Sequence, residues 1–178
     1  MPDKLLKLTS HWQDFLSEID LLLTAPAQIT CIGGFALTEV HGASRNTGDL
    51  DLIESSSKTI EELQNIAGKG SALHKKHKLY VEYVGFVTMP LEYKSRLTPL
   101  PLSLERLTIF IPEVYDLALS KLERNSPKDQ ADIEFLARKY NLSYATLRKR
   151  FDDELDYIAN RDYHLATLEN FWRDWFQE

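Results

Sequence analysis

The sequence predicts an α+β fold, in which strands and helices alternate first and helices alone fill the last third of the chain. Short apolar or β-branched runs, such as 29–32 and 104–111, are separated by stretches whose hydrophobic residues recur every three or four positions. After Pro112 only the helical periodicity remains. We therefore expect a mixed sheet flanked by helices over residues 1–111, and a C-terminal helical bundle over 112–178 that packs on this core.

Turn and cap residues divide the chain into elements. The first helix is indicated by Trp12, Phe15 and Ile19, and Pro26 follows its end. Later strands are rich in β-branched and aromatic residues, and glycine, proline or a capping serine such as Ser57 separates the elements. The predicted strands are 29–32, one around 50–53, 79–88 and 104–111. The predicted helices are 10–23, 35–40, 58–66, 112–124, 127–140, 143–159 and 162–176.

The composition is that of an ordinary globular protein, with 43% hydrophobic and 27% charged residues among 178. No apolar run approaches the roughly 20 residues of a membrane span, and the N-terminus lacks the pattern of a secretory signal. The single Cys31 lies in an apolar run, so it is expected to be buried and unable to form an internal disulfide. These features predict a cytoplasmic protein that does not enter a membrane.

The net charge of −6 argues against nucleic-acid binding over the whole surface. It leaves room for local basic segments, and residues 74–78 and 148–150 are two such runs. Each run is either a polyanion contact or a solvated face.

The segment GGFALTEVHGASRNTGDLDL, Gly33 to Leu52, contains the candidate chemistry. Residues i and i+2 of a strand point to one side, so Asp49 and Asp51 are expected to project together while Leu50 and Leu52 face the core. Two adjacent carboxylates repel each other unless a hard cation such as Mg²⁺ binds between them. The alternative is a pair of solvated acids on a strand.

The residues before these aspartates are consistent with phosphate binding. Gly33 and Gly34 stand between a predicted strand and a predicted helix, where backbone N–H groups can bind a phosphate or simply form a tight turn. Arg45, in the loop with Thr47, can bind a phosphate through two hydrogen bonds, or else pair with an aspartate or with solvent.

The segment resembles the first motif of the nucleotidyltransferase superfamily that includes DNA polymerase beta, in which a glycine pair or Gly-Ser precedes Asp-x-Asp. The sequence of Arg45, Thr47 and Asp49-Leu50-Asp51 is most similar to small toxins of the AbiEii and MenT type and their relatives. DLALSKLERNSPKDQADIEFL, residues 116–136, resembles their later signature, and the similarity covers about 28–137.

The resemblance implies a role for each matching residue. Asp49 and Asp51 would hold Mg²⁺, and Gly33 and Gly34 would approach a nucleoside triphosphate. From the later signature, Lys121 would contact phosphate and Asp129 would support the site. Simpler roles stay open for both: Lys121 can lie along a helix surface, and Asp129 can stabilise the start of a helix, where Asp132 is an alternative carboxylate.

Two positions depart from the family pattern. Gly34 stands where the members with Gly-Ser have a serine hydroxyl, so only backbone donors remain there. The third carboxylate that many members carry has one candidate in the predicted third strand, Glu82. It either activates the attacking hydroxyl as a general base or faces solvent.

The resemblance implies an enzyme that transfers a nucleoside monophosphate from a nucleoside triphosphate to a hydroxyl of an RNA, such as the 3′ end of a tRNA, or of a protein. Such proteins often act as toxins of toxin–antitoxin or phage-defence pairs, so an antitoxin is a possible partner. The alternative is a catalytically degenerate relative that binds a nucleotide or a partner protein. The aromatic C-terminal segment 171–176 is then either core or a partner surface.

Overall fold

The structure is a computed structural model that describes residues 6–176. The chain divides into two compact units: one comprises the residues up to Phe86 together with Leu97–Ile111, and the other comprises Val87–Arg96 and the residues from Pro112 onwards. None of the helices within residues 6–176 is both long and apolar enough to cross a membrane.

The first unit contains a mixed five-stranded sheet, which confirms the predicted α+β class. The strands lie in the order β3-β2-β1-β5-β4. β1 is antiparallel to β2 and parallel to β5, β2 is parallel to β3, and β4 is antiparallel to β5. The strand bounds are β1 Ala27–Ile32, β2 Asp49–Glu54, β3 Tyr80–Tyr83, β4 Thr98–Pro99 and β5 Leu107–Ile111.

Helices of the first unit cover this sheet. They are α1 Ser10–Leu22, α2 Gly33–Phe35, which continues as a π-helix over Ala36–Val40, α3 Ser57–Ala67 and α4 Ala72–His77. The predicted face of α1 is buried: Trp12 is 3% exposed, Phe15 is fully buried, and the Trp12 ring lies 4.8 Å from the Phe35 ring. Leu50 and Leu52 of β2 are fully buried in the same core, as the alternation predicted.

Four elements of the first unit differ from the predicted ones. The cap of α3 is Ser56, whose hydroxyl accepts from the Thr59 N–H, so that helix begins one residue earlier than predicted. The short α4 was not predicted at all. β3 is shorter than the predicted strand, and β5 begins at Leu107 rather than 104. The late start of β5 follows from Asp20, whose carboxylate accepts three backbone N–H groups, from residues 105, 106 and 107.

The second unit is helical, as predicted for the last third of the chain. Its helices are α5 Val114–Leu119, α6 Pro127–Tyr140, α7 Tyr144–Glu154 and α8 Arg161–Phe176. α6 has the predicted bounds, whereas α5 and α7 are shorter than predicted because turns follow Leu119 and Leu155. Their apolar faces meet around Leu117, Leu136 and Phe151, which are fully buried.

Candidate active site

Three carboxylates converge on one face of the sheet in the first unit. Asp49 and Asp51 alternate with the buried Leu50 and Leu52, so both point away from the core. β3 runs parallel beside β2, and Glu82 stands opposite Asp51 in that register. Each of the three acids places a carboxylate oxygen within 4.8 Å of those of the other two. The structure therefore brings Glu82 next to the two aspartates.

The glycine turn lies directly against this carboxylate cluster. Gly33 has a φ of +71°, a conformation that L side chains rarely adopt. A Cβ atom there would lie 1.7 Å from Oδ2 of Asp51, and a Cβ atom at Gly34 would lie 2.1 Å from Oγ1 of Thr47. A side chain at either position would require Asp51 or Thr47 to move, because the backbone of the turn approaches both residues closely.

Thr47 connects the glycine turn to the carboxylates. Its hydroxyl donates a hydrogen bond of 2.7 Å to Oδ1 of Asp49. Arg45 lies on the same side, since its Nη1 atom is 3.5 Å from the place that a Cβ of Gly34 would occupy. Thus the residues predicted from GGFALTEVHGASRNTGDLDL form one cluster, and Thr47 orients Asp49.

The charges of the cluster affect two neighbouring groups. Burial raises the pKa of the Cys31 thiol well above its usual value, and the charge of Asp51 raises it further, so Cys31 is a protonated buried side chain. Burial also raises the pKa of Tyr80, and the charges of Asp49, Glu82 and Asp51 add to that effect. The place of Tyr80 beside the three acids was not predicted. The available signal was its position two residues before Glu82 in the same strand.

The donor set of the cluster fits a hard divalent cation. Three carboxylates supply only oxygen ligands, which is the chemistry that Mg²⁺ and Ca²⁺ prefer. Their oxygens are close enough together to share one ion or a pair of ions, and their mutual repulsion is unfavourable without a counter-charge. Asp49, Asp51 and Glu82 are therefore the residues that would hold the metal.

Lys121 and Asp129 belong to the second unit, where they form a buried ionic cluster. The Lys121 Nζ atom lies 2.8 Å from Oδ2 of Asp132 and 3.7 Å from Oδ1 of Asp129. Arg124 donates two hydrogen bonds, of 2.7 and 2.6 Å, to the fully buried Asp129 carboxylate. Asp129 also completes a capping box with Ser126 at the start of α6, so it has the predicted helix-start role.

The charge of Asp129 is strongly stabilised. Burial raises its pKa, but the hydrogen bonds from Arg124 and Ser126, together with the charge of Lys121, outweigh burial and lower the pKa to about 2. The carboxylate is thus ionised at neutral pH and fixes the Lys121 ammonium together with Asp132. Its support of a catalytic site stays a prediction.

A family profile described as "Nucleotidyltransferase of unknown function (DUF6036)" matches residues 4–178. The chain belongs to this family. Membership in DUF6036 confirms the nucleotidyltransferase part of the resemblance, while the closer similarity to AbiEii and MenT toxins stays a prediction. Neither curated proteins nor solved structures gave a significant match. As a member of a nucleotidyltransferase family, the protein is expected to use a nucleotide substrate and a divalent metal, which agrees with the three-carboxylate cluster.

Proposed function

We propose that this DUF6036 protein is a magnesium-dependent nucleotidyltransferase. It transfers a nucleoside monophosphate from a nucleoside triphosphate to a hydroxyl of an RNA, such as tRNA, or of a protein. The observation that carries the proposal is the direct packing of Gly33 against Asp51 beside a third carboxylate, Glu82. A backbone turn that approaches a carboxylate cluster this closely suits a metal-bound polyphosphate.

In this proposal each residue of the site has a separate function. The backbone N–H groups of Gly33 and Gly34 bind the triphosphate, and Arg45 adds a guanidinium donor. Asp49, Asp51 and Glu82 would hold Mg²⁺, which when bound would supply positive charge that stabilises the phosphate oxygens. Thr47 holds the Asp49 carboxylate in position through its hydrogen bond.

The transfer itself is a displacement at the α-phosphorus. The acceptor oxygen forms a bond to that phosphorus while the bond to the bridging oxygen breaks, and pyrophosphate leaves with the electron pair. Glu82 accepts the proton of the acceptor hydroxyl as a general base. A phosphate contact by Lys121 and a supporting role for Asp129 rest on the resemblance alone. The resemblance also favours a toxin whose activity a separate antitoxin controls.

A labelling experiment tests the proposal. The purified protein is incubated with Mg²⁺, total RNA and each of the four α-labelled nucleoside triphosphates in turn. We expect label from one triphosphate to enter RNA, or a protein band if the acceptor is a protein. Asp49→Asn and Asp51→Asn should abolish the labelling. The matched control is Asp14→Asn, an exposed aspartate on α1, which should keep it.

The outcome separates an enzyme from a degenerate relative. If a triphosphate raises the melting temperature of the protein but no label is transferred to RNA or protein, the protein is a binding module of the same family. If Asp51→Asn retains full transfer, the assigned site is wrong even though the family is right.

A further inference from the structure

A groove of about 310 Å³ runs along the outer edge of the sheet beside the carboxylate cluster. β3 is the edge strand, and its residues 80–83 line one wall of this edge groove, including Glu82. The end of α3 and the turn after it form the other wall with Gln64, Gly68 and Lys69. The edge groove therefore opens directly onto one of the three proposed metal ligands.

The edge groove and the glycine turn lie on opposite sides of β2. Gly33 follows β1, which pairs with one side of β2, whereas β3 pairs with the other side. Because neighbouring strands are about 4.8 Å apart, the two features are separated by roughly two strand spacings, with the carboxylates between them. A molecule in the edge groove reaches the carboxylates from the side away from Gly33.

This arrangement matches the geometry of phosphoryl transfer, and the inference here rests on the proposed function. The attacking and leaving oxygens stand roughly in line on opposite sides of the phosphorus. If the triphosphate tail lies at the glycine turn, pyrophosphate leaves on the β1 side. The attacking hydroxyl then approaches from the β3 side, where Glu82 and the edge groove lie.

The segment that borders the edge groove is basic, although the whole chain is acidic. Residues 67–79 contain Lys69, Lys75, Lys76 and Lys78, with two histidines and no acid. Lys76 pairs with Glu18, while no ion pair within residues 6–176 involves the other three lysines, which are exposed. Of these lysines Lys69 lines the edge groove, so its positive charge is available there to an anionic partner.

An aromatic ring lies within this basic wall. The Lys69 Nζ atom is 5.6 Å from the centroid of the Tyr80 ring, and the His74 ring is 5.1 Å from it on an edge-to-face contact. Tyr83, which also lines the edge groove, is 40% exposed. A cation together with an exposed aromatic ring is the combination that binds the phosphate and the bases of a single strand.

We propose that the edge groove binds the acceptor of the transfer reaction and that this acceptor is the end of a single-stranded RNA. A backbone phosphate of the RNA contacts Lys69, and a base packs against the exposed Tyr83 ring. The terminal hydroxyl then lies beside Glu82. Lys69 is a binding residue for the acceptor and has no part in binding the triphosphate.

A binding assay without nucleotide tests this proposal independently of turnover. The probe is a 5′-fluorescein single-stranded RNA of roughly a dozen nucleotides, long enough to fill a typical single-strand site. Its affinity is measured by fluorescence anisotropy over a series of salt concentrations. We expect Lys69→Gln to weaken binding about fivefold and to reduce the salt slope of log Kd by about 0.7, the value for one lost phosphate contact. The matched control is Lys58→Gln, an exposed lysine at the start of α3, which should change neither quantity.

Further measurements separate the groove from the rest of the site. Lys69→Gln should leave the Mg²⁺-dependent thermal shift by nucleoside triphosphates unchanged, and in turnover it should raise the KM for RNA but not the KM for the triphosphate. If no transfer activity exists, the proposed function fails, yet the anisotropy data still decide whether the groove binds RNA. The groove assignment is overturned if the wild-type protein does not bind the RNA, if Lys69→Gln matches it in affinity and salt slope, or if the variant loses triphosphate binding instead.

Discussion

Asp49→Asn should stabilise the metal-free protein, although it removes a proposed metal ligand. The Asp49 carboxylate has oxygens within 4.8 Å of those of Asp51 and Glu82. At that distance each pair of like charges costs about 1 kcal/mol in the dielectric of water. Asp49 and Asp51 are two residues apart, so they also repel each other in the unfolded chain. Folding brings Glu82 close to Asp49, and the repulsion between these two carboxylates is therefore the larger part of the destabilisation that folding introduces. Asparagine can still accept the Thr47 hydrogen bond. We therefore expect a gain of about 1 kcal/mol, or a rise of 2–4 °C in melting temperature.

The same variant should respond in the opposite way to metal. A cation that binds only the folded state raises stability by about 1.4 kcal/mol when its concentration is ten times its Kd. Asp49→Asn should lose most of this increment because it removes both a ligand and a charge. Adding Mg²⁺ or Mn²⁺ therefore reverses the order of the two melting temperatures.

Differential scanning fluorimetry with EDTA and with a series of Mg²⁺ and Mn²⁺ concentrations measures both effects. Asp14→Asn, at an exposed position of α1, controls for the removal of one negative charge from the whole protein. The reasoning is refuted if Asp49→Asn melts below wild type in EDTA and shows an undiminished metal-induced shift. That result would mean that the carboxylates neither repel each other nor share a cation.

Three further predictions concern close contacts and buried carboxylates. Gly34→Ser should lower the melting temperature because its Cβ would lie 2.1 Å from Oγ1 of Thr47, and adding Thr47→Ala should restore part of the loss in a double-mutant cycle. Asp129→Asn should lower the free energy of unfolding at pH 7 by about 2 kcal/mol in chemical denaturation, because the pKa of Asp129 is about 2 in the folded protein and near 3.9 in an unfolded chain. The carboxylate makes this full contribution above about pH 4 and loses it as the pH falls towards 2. An undiminished difference between wild type and variant at pH 2 would contradict it. Asp20→Asn should destabilise by about 2 kcal/mol because an uncharged acceptor replaces the carboxylate that binds three backbone N–H groups. Burial raises the pKa of Asp20 but those hydrogen bonds lower it more, so the difference should shrink as pH falls below about 4 and would count against this reasoning if it persisted.

Local patterns predicted those parts of the fold that local chemistry determines. The alternation of Asp49-Leu50-Asp51-Leu52 fixes which side chains face the core, and the Ser126-Pro127 start of α6 contains its own cap. α4 escaped prediction because it is only six residues long and buries Leu73 and His77, too few to show a helical period. Its cap, Ser71, is a polar residue in a glycine-containing turn, which gives the same signal as a loop.

Most of the features that the sequence did not predict depend on contacts between residues far apart along the chain. The sequence left two roles open for Glu82, because its position beside Asp51 depends on the parallel register of β3 with β2. These two strands are joined by a connection that includes α3 and α4. Asp20 gave no signal, since the N–H groups that it accepts lie 85 to 87 residues further along the chain. In both cases the residue type is unremarkable in its local sequence, and only the tertiary partner gives it a role.

The glycine at position 34 has its explanation in this tertiary environment. In the motif that this segment resembles, some proteins carry a serine hydroxyl at this position, so Gly34 looked like the loss of a phosphate ligand. In the structure, the Thr47 hydroxyl lies 2.1 Å from where a Cβ of residue 34 would be, and its proton is donated to Asp49. A serine would compete for that space, because Thr47 Cβ is itself only 2.8 Å from the same point. Glycine at 34 is therefore explained by threonine at 47. The hydroxyl beside the turn comes from the loop before β2 and orients a carboxylate, so the proposed phosphate binding at the turn depends on the backbone alone.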